Sequence, residues 1–313
     1  MNEPQNWERQ VVERLAFAAI DEQRRARRWK IFFRSVWLTL FVAAVVMLML
    51  ESPSAKEGMH SPGGKHTAVV DLAGPITSEN NTAERLISGL NKAFTDAGSK
   101  AVIVRANSPG GSPVLSGMVY DEIRRLKAKH PAIPLYFVVE EVCASGCYYM
   151  AAAADRIYVD KASIIGSIGV LSDGFGFPSL MEKLGVERRL MTAGTHKALG
   201  DPFSPQKPED AVWRQKLLDG IHQQFIDAVK AGRGKRLVNN PELFSGLVWL
   251  GSDSLAVGLA DGLGSVNSVA RDVVKADELV NFTTDEYLFD RFAKKIGVSL
   301  RYGVSSFFDT SLR

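Results

Sequence analysis

Hydrophobic and polar positions change period several times along the chain. From residue 67 onward, short apolar runs alternate with helical stretches. "TAVVDLAG" (67–74), "AVIVRA" (101–106) and "PLYFVVE" (134–140) read as strands, the second as one buried on both faces. Between them the spacing predicts an amphipathic helix over 82–97 and another over about 115–129, the latter after a Gly/Pro turn. A helix is expected from Ala144 to Ala154, followed by short strands or turns at "RIYVD" and "IIGSIGV". Residues 208–231 place Trp213, Leu217, Ile221, Phe225 and Val229 on one stripe of a long helix. The segment 245–275 is Gly-rich and then helical. Strands separated by helices mean an α/β fold with a mostly parallel sheet flanked by helices. No internal repeat interrupts it, so one unit of about 210 residues is expected, with a helical C-terminal part.

The first fifty residues follow a different pattern. "WERQVVERLAFAAI" (7–20) sets Trp7, Val11, Leu15 and Ala18 at helical spacing, which suits a helix on a membrane face, a partner helix or a weakly ordered tail. "SVWLTLFVAAVVMLML" (35–50) carries no charge, and extended back to Ile31 it reaches the ~20 residues that cross a bilayer as a helix. Arg34 can snorkel, Trp29 and Trp37 suit the interface, and "RRARRWK" ahead of the run places the N-terminus in the cytoplasm. An uncleaved anchor is expected over 31–50, with 1–30 as a cytoplasmic segment. "ESPSAKEGMHSPGGK" (51–65) reads as a tether, and the linker is taken as 51–66.

Charge sharpens this division. The net charge is +3 over 313 residues. Residues 1–34 hold eight Lys/Arg against five acids, which accounts for all of it and leaves the remainder neutral. A neutral body excludes nucleic acid as the expected partner, because phosphate binding needs a surplus of cations. Cys143 and Cys147 are the two cysteines. Four apart in an expected helix, they read as small buried hydrophobes rather than a disulfide, and without a histidine cluster they make no metal site.

Two loops at carboxyl ends of strands are placed where ligands bind in such sheets. "RANSPGGSP" (105–113) supplies Gly110 and Gly111, whose backbone N–H groups can line a cleft as an oxyanion site requires, although Pro-Gly-Gly is also an ordinary turn. In the second loop Ser145 stands between a strand and a helix, either as a helix cap or as a nucleophile at the positive end of the helix dipole. Of the five histidines, His60, His66 and His130 fall where solvent is expected, and His196 is the candidate for a Ser-His-Asp relay. Beside it, Lys197 in "TAGTHKALGDPFSP" (192–205) offers a second base, since a desolvated lysine can accept a proton near neutrality.

"ANSPGGS", "CASGCYYMAAAADRIYVD", "GSIGV", "GTHKALGDPFSP" and "GLVWLGSDSLAVGLADGLG" occur in this order over about 67–275. Together they resemble the signal peptide peptidase A family, peptidase family S49, in its half-length form. The resemblance implies a ClpP/crotonase-like fold over a protease domain at 67–280, with 281–313 as a C-terminal tail. It implies Ser145 as nucleophile, Lys197 as general base, Ser167 as the residue that orients the lysine, and Gly110, Gly111 and Gly146 as oxyanion donors. No cofactor or metal is expected. The implied substrates are peptides, above all cleaved signal peptides, and the implied assembly is a homo-oligomeric ring in which neighbouring protomers bring serine and lysine together. The implied location is the bacterial inner membrane, with a single span and the catalytic domain in the periplasm. Alternatives are a related membrane protease that cuts stomatin-like partners, a non-catalytic ring scaffold of the same fold, and an acyl-CoA enzyme of crotonase type. One departure stands out: the family commonly reads Ala-Ser-Gly-Gly, and this chain has Cys147 at the last position.

Overall fold

A computed structural model of the chain describes residues 4–50 and 64–284. The chain divides into two compact units, residues 1–59 and 60–313. In the first, α1 (Pro4–Leu50) is one continuous helix, which absorbs both the amphipathic stretch at 7–20 and the expected anchor. Among the described residues no helix is both long and apolar enough to cross a membrane. The expected span at 31–50 runs onto residues 44–50, whose side chains lie outside the described ones.

The second unit is built on an eight-stranded sheet. Its strands are β1 (His66–Ala73), β2 (Ser99–Ser108), β3 (Leu135–Ala144), β4 (Arg156–Val159), β5 (Ile164–Gly166), β6 (Val248–Leu250), β7 (Gly262–Leu263) and β8 (Leu279–Asn281). The main order is β6-β5-β3-β2-β1-β8, with β4 pairing β3 and β7. All pairs are parallel except β5 with β6. β3 serves two neighbours on one edge: its first half pairs β4 and its last three residues pair β5. The carboxyl end of β3 is thereby gripped between β2 and β5.

Burial explains why the strands read as apolar runs. Ala68, Val70 and Leu72 of β1 pack into the larger core with α2 (Thr82–Thr95) and α3 (Pro113–Lys129), through Leu86, Leu90, Phe94, Val119 and Ile123. The alternate residue Val69 joins Ile103, Val138 and Tyr158 on the opposite face, under Val266 and Val269. The apolar residues of β1 and β2 are thus covered, apart from Ala73 at the end of β1, as a sheet between two layers requires. The mostly parallel α/β sheet flanked by helices is the arrangement that the resemblance implied.

Three local expectations change. The helix expected from Ala144 begins two residues later, as α4 (Gly146–Ala151), because β3 runs through Ala144 and the chain turns at Ser145. His66 is not solvated: it lies in β1, is 3% exposed and stacks on Phe282 at 5.9 Å. The stripe on α6 (Pro208–Arg233) is buried only at its C-terminal end, where Phe225 and Val229 meet the core and Phe225 lies 4.9 Å from the Tyr149 ring. Trp213 and Leu217, at the other end, stay about half exposed. Beyond β8, Thr283 accepts from the Asp71 N–H at 2.8 Å and the Thr284 C=O accepts from Arg85 at 2.8 Å, so the expected tail begins as an extension of the core. Its remainder lies outside the described residues.

Candidate active site

Ser145 is positioned by sheet registry. Cys143 pairs with Ser108 of β2 on one side and Ile165 of β5 on the other. The Ser145 N–H then donates to the Gly166 C=O at 2.8 Å, and its own C=O accepts from the Tyr149 N–H at 3.0 Å. Between these bonds Ser145 holds φ 53 and ψ −122. Such a backbone costs a non-glycine residue about 1–3 kcal/mol and persists only where its surroundings enforce it. Among the described residues, Asn81, Ser145, Ser167 and Lys275 are the non-glycines with positive φ. Two of these four are the serines that the resemblance selects. Ser167, at φ 51, is held where its N–H donates to the Leu247 C=O at 2.8 Å.

Both serines open onto one groove of about 660 Å³, together with Gly110, Gly111 and Gly146. Its apolar walls come from Val114, Tyr149, Val170, Leu171, Ile221 and Phe225. The three glycines differ in what their amides do. The Gly110 N–H donates to the Ser108 Oγ at 3.2 Å, and its C=O accepts from Ile76 at 2.9 Å. Gly111 and Gly146 have no acceptor for their N–H groups among the described residues. Gly146 opens α4, so its N–H belongs to the first turn that no helical carbonyl can reach. A Cβ at Gly146 would lie 3.3 Å from the Gly111 nitrogen and collide with the Ser116 Oγ, so these two peptide groups approach closely because Gly146 carries no side chain. Ser116 is itself fixed, donating to the Ser112 C=O at 2.8 Å.

Cys143 and Cys147 form a disulfide, which overturns the reading of two free cysteines. That reading took both to lie in one helix. Cys143 instead ends a strand and Cys147 lies in the first turn of α4, and the turn at Ser145 brings their Cα atoms to 5.1 Å. Both are fully buried.

Lys197 is not among the residues that line the groove. It sits on an exposed strap, residues 171–207, between β5 and α6, in a turn where its N–H donates to the Gly194 C=O at 3.1 Å. The strap is closed on itself by the Phe177 N–H to Pro202 C=O bond (2.7 Å) and by stacking of Phe177 on Phe203 at 5.6 Å. It contains α5 (Pro178–Lys183), none of whose residues is buried. Leu171, Phe175 and Met191 are 81%, 83% and 96% exposed. His196 does find an acid: its Nδ1 lies 2.6 Å from Oδ1 of Asp210, a buried carboxylate in the first turn of α6. Sequence reasoning missed this acid, because Glu209 and Asp210 at a helix start look like a solvated, dipole-compensating pair. His196, like Lys197, is absent from the lining of the Ser145 groove. Among the described residues no cluster of His, Cys, Asp and Glu suits a metal ion.

Comparison with known proteins points to one family. The profile described as Peptidase family S49 matches residues 127–281, which include Ser145, Ser167 and Lys197. A Brucella melitensis protein named Na(+)/H(+) antiporter NhaA is 50% identical over 182 residues, covering 58% of this chain and 25% of that protein. The chain therefore spans about a quarter of the length of that relative. Protease 4 of Haemophilus influenzae is 34% identical over 229 residues, covering 71% of this chain and 36% of its own. A Synechocystis protein named "Putative protease slr0021" is 30% identical over 201 residues, covering 64% of this chain and 70% of its own. With the family profile laid over both serines and the lysine, and a relative matched along most of its length, the chain belongs to peptidase family S49.

Proposed function

We propose that the chain is a membrane-anchored serine endopeptidase in which Ser145 attacks the scissile carbonyl and Lys197 accepts its proton. The observation that carries this reading is the enforced backbone of Ser145 in one apolar groove, beside the amides of Gly111 and Gly146, which have no acceptor among the described residues. As Oγ adds to the carbonyl, negative charge grows on its oxygen, and donors already aimed at that point stabilise it without reorganising. Lys197 then protonates the departing amine, and water releases the acyl group from Ser145. In this reading Ser167, which faces the same groove, accepts a hydrogen bond from the lysine amine and fixes its direction. Gly110 supports the loop rather than the oxyanion, since its N–H is already engaged.

The lysine comes from a neighbouring copy. Its own strap is exposed and carries bare apolar side chains, and while Leu171 at the start of the strap lines the groove that holds Ser145, the turn with Lys197 does not, which suits a surface covered by a second chain in a homo-oligomeric ring. The substrates are extended apolar peptides, above all cleaved signal peptides, which match a groove walled by Val170, Leu171, Ile221 and Phe225. Along α1, Trp29, Phe32, Phe33, Trp37, Leu38 and Phe41 are all exposed, which supports a membrane anchor. The Cys143–Cys147 disulfide fits a catalytic domain on the oxidising side of that membrane.

The test is cleavage of a leucine-rich peptide by the full chain and by Ser145→Ala and Lys197→Ala variants, singly and mixed. Each variant alone is expected to be inactive, and a mixture that forms joint rings should regain part of the activity. Full activity in either single variant would reject the dyad, and two inactive singles whose verified joint rings stay inactive would place both residues in one protomer.

A further inference from the structure

We infer that the Cys143–Cys147 disulfide is a positioning device for the nucleophile, and that its reduction lowers turnover without emptying the groove. The inference rests on Ser145 being the nucleophile. The two cysteines bracket Ser145 and Gly146, one at the end of β3 and one in the first turn of α4. Everything the oxyanion step needs from this side, the Ser145 hydroxyl and the Gly146 N–H, lies inside the five-residue loop that the disulfide closes.

Geometry gives the bond its leverage. Bonded sulfurs stand ~2.05 Å apart. Two thiols, like other non-bonded heavy atoms, need about 3.5–4 Å. Reduction therefore pushes the sulfurs apart by roughly 1.5 Å. Cys143, Cys147, Tyr148 and Met150 are all fully buried, and Cys143 is flanked by β2 and β5, so the core leaves little room for that movement. The compliant part is the turn itself. Ser145 holds its positive φ through the hydrogen bonds of its N–H to Gly166 and of its C=O to Tyr149, and an opened bracket lets it relax toward an ordinary backbone. A displacement of about 1 Å at a reacting group can cost on the order of 100-fold in rate. The groove walls at Val170, Leu171, Ile221 and Phe225 lie outside the bracket, so substrate binding is spared. The chemistry balances: a dithiol reagent gives two electrons and two protons, leaves as its cyclic disulfide, and Cys143 and Cys147 remain as thiols.

The experiment uses the full-length protein in detergent, isolated oxidised, then treated with dithiothreitol, with intact mass (a gain of about 2 Da, two hydrogens) confirming reduction. Peptide cleavage and the rate of Ser145 labelling by a fluorophosphonate are followed in both forms, with circular dichroism as the check on folding. Reduction is expected to lower kcat and the labelling rate about 10- to 100-fold, leave KM within about twofold, and reverse with oxidised glutathione. A Cys143→Ala/Cys147→Ala chain should be indifferent to dithiothreitol, which separates this bond from any effect of the reagent on assembly. Reduced protein with unchanged kcat overturns the inference. Reduced protein that loses its folded signal together with activity also overturns it, by assigning the bond to stability. Cleavage by Ser145→Ala would instead sink the assignment of the nucleophile.

Discussion

The N–H of Gly110 donates to the Oγ of Ser108 at 3.2 Å, and that bond sets Gly110 apart from Gly111 and Gly146, whose N–H groups have no acceptor among the described residues. Gly146 cannot gain a side chain without meeting Ser116, whose hydroxyl is held by the Ser112 carbonyl. Gly146→Ala is therefore expected to displace the pair of amides and lower kcat about 100-fold or more, the effect of losing one oxyanion donor. Ser116→Ala in the same chain removes the atom in the way and should restore part of the loss. Steady-state kinetics on the single and double variants check this. An unchanged kcat in Gly146→Ala would remove that amide from the reaction.

The pairing of His196 with Asp210 at 2.6 Å separates two bases that lie next to each other in sequence. If the imidazole only ties the strap to α6, His196→Gln should keep at least about a tenth of kcat, while Lys197→Ala should lose ~1000-fold or more, as removal of a catalytic base does. Asp210→Ala should resemble His196→Gln. The reverse order of effects would transfer the role of base to His196.

Exposed apolar residues at the start of α6 offer a handle on assembly. Trp213→Glu and Leu217→Glu leave the core untouched, because both side chains are about half exposed in the single chain. Each charge would be buried if a second copy covers this face, a cost of several kcal/mol when unpaired. Sedimentation should show smaller particles, and activity should fall with them while the thermal unfolding midpoint of the domain stays near that of the parent. An intact assembly carrying either glutamate would place the interface elsewhere.

Stability in acid should be governed in part by Asp261. Burial pushes its carboxyl up. The two hydrogen bonds and charge of Arg233, the Ile157 N–H and Arg236 together outweigh that and hold it below the ordinary carboxylate value. A group with a depressed folded value stabilises the fold above its unfolded value, and that contribution disappears as the pH falls through the folded one. Thermal melts of the parent should therefore decline on acidification through and below the ordinary carboxylate range, and Asp261→Asn should flatten part of that decline while melting lower at neutral pH. Arg233 has no exposed surface, so Arg233→Met would leave Asp261 buried without its main partner, at a cost of about 3–5 kcal/mol.

Much of this was legible in the chain. The strands at 67–74, 101–106 and 134–140 stand out because both faces of the sheet are covered and their apolar residues run nearly unbroken. Ser145 was visible as a serine between a strand and a helix. Its positive φ was not, because nothing in "CASGC" marks a residue whose backbone is set by pairing with Gly166 some twenty residues on. The disulfide was hidden for the same reason: cysteines four apart look unbridgeable until a strand end and a helix start are known to meet there. The helical stripe from Trp213 to Val229 was correct in period yet silent about where the core ends, since periodicity reports a face and not the partner that covers it.

The course of α6 has a consequence of its own. One end of this helix presses Phe225 against Tyr149 beneath the groove of its own chain, and the other holds, through Asp210, the turn that carries Lys197. In a closed circle of copies, each such rod would be shared by two adjacent workplaces, finishing one while furnishing the other. A single crippled member would then silence more than its own serine, and loss of output with the fraction of damaged subunits should be steeper than proportional.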